Sequence, residues 1–88
     1  MTTAYPLGSR EDVLRKPFAL DGAELADTIP ARSKLVEKLL AACRRERERG
    51  LAGDWTYDIA RHNGMIALFR SEKAALDAMV AAALPLAA

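Results

Sequence analysis

The sequence predicts a small α+β domain with three N-terminal helices, one β-hairpin and a C-terminal helix. Three observations predict it. Pro30 separates two amphipathic stretches. Trp55, Tyr57 and Ile59 alternate with Thr56, Asp58 and Ala60 ahead of Asn63-Gly64, a hairpin signal because a type I′ turn needs positive φ at both central positions. An Ala-rich amphipathic run then follows Ser71.

Eighty-eight residues bound the chain to one domain, residues 9–84, with 1–8 a flexible N-terminal tail and 85–88 a C-terminal tail. Half the residues are apolar, which is enough to fill a core. Thirteen basic residues meet twelve acidic ones, so any nucleic-acid surface has to be a local patch. The lone Cys43 rules out an internal disulfide. The N-terminus has no signal-peptide core, and the longest apolar run, Ala78 to Ala88, is too short for a bilayer. The expectation is a cytoplasmic protein with no membrane partner.

In chain order, Ser9 and Asp12 make a capping-box-like start for a helix that ends at Pro17, with Val13 and Leu14 as its apolar face. Phe18 to Leu20 is an extended link. Asp21 caps a second helix, whose apolar set is Ala23, Leu25, Ala26 and Ile29 and which Pro30 closes. Ser33 caps a third. Its stripe is Leu35, Val36, Leu39, Leu40 and Cys43, and its arginine-rich end, where Arg44 and Glu48 pair, runs to a Gly50 cap. On the hairpin, Trp55, Tyr57, Ile59, Ile66 and Leu68 form the core face, leaving His62, Met65, Ala67 and Phe69 outside. Ser71 caps the last helix, which carries Leu76, Met79, Val80, Ala83 and Leu84 on one side.

This inventory does not build an enzyme. Cys43 falls on a core stripe, and Ser9, Ser33 and Ser71 are taken as helix caps. No Cys/His spacing suits zinc, and no glycine-rich phosphate loop is present. No catalytic residue, metal or cofactor is expected.

The phrases AELADTI and SKLVEKLL, with LFRSEKAALDAM after the hairpin, resemble winged helix-turn-helix regulators of the MarR-like and PadR-like groups, over roughly Arg10 to Met79. Pro30 departs from that pattern, which usually has glycine in the turn. The resemblance implies a winged-helix-like domain that binds DNA, with the helix starting at Ser33 in the major groove and the 61–64 hairpin tip as the wing. Arg32, Ser33, Lys34, Lys38, Arg45 and Arg61 would then contact the nucleic acid. A homodimer through Leu76, Met79, Val80 and Leu84 is also implied. The alternative is a non-catalytic protein–protein interaction module, an inhibitor or adaptor, acting through the outer hairpin face and the C-terminal helix. The near-neutral charge favours that alternative, since DNA affinity depends on phosphate neutralisation.

Overall fold

The computed structural model describes Arg10, Leu14 and residues 20–84. Two long helices dominate them: α1, Ile29–Leu51, and α2, Ile59–Ala83, packed on one another across a short turn. Contacts at the two ends fix the direction. Arg61 meets Glu46 near the turn, and Arg32 approaches Glu72 at the far end, so the helices run antiparallel.

Thr28 starts α1. Its backbone is extended (φ −127°, ψ 154°), and its hydroxyl accepts a hydrogen bond from the Ala31 N–H at 3.3 Å. Pro30 follows in the first turn, where a missing N–H leaves nothing unpaired. The proline expected to close a helix therefore opens one, and Ser33 lies inside the helix it was expected to cap. The segment before it is a single turn. The Glu24 N–H donates to Asp21 Oδ1 at 2.8 Å, and the Asp21 N–H donates to Glu24 Oε2 at 3.0 Å. Asp21 caps as expected, but what it caps does not continue to Ile29.

Gly50 is not the cap of α1. The Ala52 N–H closes the helix on Glu48 O, and Gly53 takes the left-handed conformation (φ +72°) that turns the chain away. Asp58 then starts α2, its carboxylate accepting from the Ala60 N–H at 2.8 Å and the Arg61 N–H at 3.3 Å.

The expected α+β architecture is overturned here. Among the described residues there is no strand, so there is no wing and no winged helix. Asn63-Gly64, expected as the hairpin turn, and Ser71, expected as a cap, both lie within α2. The alternation around Trp55 is real but only a few residues long. A competing three-four spacing runs through His62, Met65, Phe69, Glu72, Leu76 and Met79, all at least half-buried. That stripe continues for the length of the helix and packs on α1, and it outweighs about 0.5–1 kcal/mol of helix propensity lost at Gly64.

The core is a cluster of leucines. Leu14, Leu20, Leu25, Leu35 and Leu39 are buried together, with Leu68 and Phe69 packed against them. Val36 and Ala42 are buried as well. The predicted stripe of Leu35, Val36 and Leu39 is thus buried, while Leu40 and Cys43 are half-buried. The predicted hairpin core face is not a core: Trp55 and Ile59 are exposed, and Tyr57, Ile66 and Leu68 only half-buried. The one fully buried side chain of α2 is a charged one, Glu72. Arg10 grips it, Nε donating to both carboxylate oxygens at 3.0 Å and Nη2 to Oε1 at 2.9 Å. The Arg10 Nη1 donates to the Leu25 carbonyl at 2.9 Å, tying the helical N-terminal residue to the 20–28 segment as well.

The predicted tails, 1–8 and 85–88, lie outside the described residues. So does most of the predicted first helix, of which Arg10 and Leu14 are helical.

Candidate partner-binding turn

Seven residues between the two helices make the chain reverse, and polar side chains hold them in place. Asp54 organises the first half. Its Oδ1 accepts from the Thr56 N–H at 2.8 Å and from the Thr56 hydroxyl at 2.6 Å, closing a turn over Trp55. Arg49 reaches in from α1, donating to Asp54 Oδ2 at 3.5 Å and to the Thr56 hydroxyl. These partners hold the Asp54 carboxyl below its usual range, the Thr56 hydroxyl contributing most, then the Thr56 N–H and the Arg49 charge.

Glu46 organises the second half. It is buried, and both its oxygens lie 3.0 Å from Arg61 Nη2, while Arg49 Nη1 donates to Oε1 at 3.1 Å. Arg61 also donates to the Thr56 carbonyl at 3.2 Å. One carboxylate therefore joins α1, the turn and α2. A buried charge needs such partners to offset its desolvation.

Tyr57 locks the exit. Its hydroxyl lies 2.8 Å from His62 Nδ1, with the rings edge to face at 5.7 Å. The phenol ring sits so close over Gly50 that a Cβ there would come within 2.9 Å of it. Glycine is needed here for close approach rather than for capping.

While the polar groups bond to one another around the buried Glu46, the large apolar ones are left outside. Trp55 is 92% exposed, Leu51 73% and Ile59 66%. They run from the last residue of α1 to the first of α2. A surface aliphatic residue alone means little, but three large apolar side chains at one braced turn are an unusual concentration.

The residues expected to meet DNA do not gather into one surface. Arg32 is buried, its Nη2 3.1 Å from Asp27 and its Nε 3.8 Å from Glu72, with that Nε lacking a hydrogen bond. Lys38 is bound to Glu24 at 2.5 Å, and Arg61 to Glu46. Ser33 is half-buried in α1. Lys34 and Arg45 are exposed and make no ion pair among the described residues. The expected Arg44–Glu48 pair is likewise not formed. Of the residues assigned to dimerisation, Leu76 and Met79 are half-buried and Val80 and Leu84 exposed.

Sequence reasoning missed Glu46, Arg49, Asp54 and Thr56 as a set. Asp54-Trp55-Thr56 has the composition of an Asx turn, and Asp58 that of an N-cap; these are the signals that could have found them. Among the described residues, no group of three His, Cys, Asp or Glu is placed to hold a metal, and no helix is long and apolar enough to cross a membrane. No family model matches the chain, and neither a curated protein nor a solved structure matches it.

Proposed function

We propose that this chain is a non-catalytic protein–protein interaction module that offers its interhelical turn to a partner protein, with Trp55 as the anchor. The observation that carries this reading is the 92% exposure of Trp55 on a turn fixed by Asp54, Thr56, Arg49 and Glu46. Tryptophan and arginine dominate binding hot spots because each buries a large area on docking. A backbone already held in place loses less entropy when the partner arrives. Leu51 and Ile59, exposed at the two helix ends that the turn joins, offer further apolar area. Val80 and Leu84, exposed at the other end of α2, supply a second surface for self-association.

The DNA reading has less to stand on. It keeps Lys34 and Arg45, about three helical turns apart, and loses the protruding basic tip. A photo-crosslinking side chain placed at Trp55, in the cell that makes the protein, tests the proposal. We expect one discrete protein adduct from that site, none from the exposed control position Glu37, and loss of the adduct in Leu51→Asp. Equal adducts from both positions, or duplex DNA binding that weakens steeply with salt, would overturn it.

A further inference from the structure

A cavity of about 350 Å³ lies at the opposite end of the molecule from the turn, between residues 20–28 and the first turns of α1. We propose that it is a binding site for a small apolar anion, an aliphatic or aromatic carboxylate. The inference is independent of the turn and of what docks there.

The shape and lining come first. The volume falls within the roughly 300–1,000 Å³ of small-molecule sites. Leu20 and Leu35, both core residues, form its wall, and Ala23, Pro30 and Ala31 complete an apolar floor. Thr28 also lines the cavity, with its hydroxyl accepting from the Ala31 N–H; the side chains beside it are apolar, so most of the ligand body is hydrocarbon. Small residues at 23 and 31 are what leave the space open.

The charges set the other end of the ligand. Asp21, Glu24, Lys34 and Lys38 line the cavity, and their formal charges sum to zero, so selection is local rather than a long-range field. Three of the four are already engaged. The Lys38 ammonium lies 2.5 Å from Glu24 Oε1, and the Asp21 carboxylate accepts the Glu24 N–H. The Lys38 hydrogen bond, backed by the Asp21 N–H, also holds Glu24 below the usual carboxylate range. Lys34 sits one helical turn before Lys38 and makes no ion pair among the described residues. It is the lining cation with no ion pair among the described residues, and so the one open to a ligand carboxylate. The apolar lining, with Lys34 as its cation that no acidic group holds among the described residues, matches an amphipathic acid.

Amide chemical-shift titrations of the full chain with octanoate, octylammonium and 1-octanol, each below its aggregation limit, test the site. Octanoate should produce saturable shifts centred on residues 20–35, with an affinity roughly tenfold above that for octylammonium, as one charge-assisted hydrogen bond provides. Lys34→Gln, an exposed substitution with no fold to disturb, should bring octanoate down to the level of octanol. Ala31→Phe, which fills the cavity from within the helix, should abolish binding of all three. Equal or tighter binding of octylammonium, shifts centred on Leu51 and Trp55, or octanoate affinity unchanged in Lys34→Gln would each overturn the proposal.

Discussion

The two ends of the helical hairpin solve the same packing problem in opposite ways. At the far end, leucines from α1 and from the residues before it fill the interior, and the charged Glu72 is enclosed with Arg10 and Arg32. At the turn end, hydrogen bonds from Arg49, Asp54, Thr56 and Arg61 converge around the buried Glu46 and the turn backbone, and the large apolar residues stand outside. Hydrophobic burial holds the first end, and directional polar contacts hold the second. An end held by polar contacts can display its tryptophan without losing its shape.

The largest expected effect breaks this comparison at its two glutamates. Glu72→Ala leaves Arg10 and Arg32, whose side chains are 21% and 11% exposed, without their shared carboxylate. A loss of about 3–5 kcal/mol in denaturant unfolding is expected. Glu46→Ala should cost less, about 1–2 kcal/mol, because Arg49 and Arg61 are each 42% exposed and water can replace the lost partner. Equal losses would show that the turn end is as dependent on buried charge as the core end.

Gly64→Ala sharpens the assignment of α2 itself. A Cβ at Gly64 meets nothing within 4 Å, and the residue is helical, so alanine should stabilise by about 0.5–1 kcal/mol. A type I′ turn with positive φ would give destabilisation instead. The melting temperature distinguishes the two signs.

The smallest effect is on acid stability. Asp54 has its folded-state pKa lowered, first by the Thr56 hydrogen bonds and then by Arg49. Its contribution is therefore complete above the unfolded carboxylate pKa of about 3.9 and is lost as pH falls through the lower folded value. Between those two values the wild-type protein should lose stability more steeply than Asp54→Asn, as followed by helical circular dichroism in denaturant at each pH. Parallel acid profiles would mean that Asp54 does not brace the turn.

Parts of this architecture were legible in the residues. The stripe of Leu35, Val36 and Leu39 announced the buried face of α1, and Asp21 announced a cap. Pro30 marked a helix boundary, but the same residue opens a helix as readily as it ends one, and Thr28 decided between them. Asn63-Gly64 misled because its local preference is strong, whereas the three-four stripe that overrides it gains energy only against α1. Glu46 and Glu72 could not be read at all. A glutamate in a charged run looks solvated until the fold brings arginines to it from 15 and 62 residues away. Alternation places Trp55 on a core face, and its exposure follows from a polar network that composition does not reveal.

The Arg10–Glu72 link has a consequence for how the protein folds. Its two halves are separated by 62 residues, so the ion pair forms only when the ends of that long loop meet, at a greater cost in chain entropy than any contact inside α1. Before that closure Arg32 has Asp27 beside it but not the Glu72 carboxylate. A chain cut short of Glu72 should therefore be more protease-sensitive than the intact one.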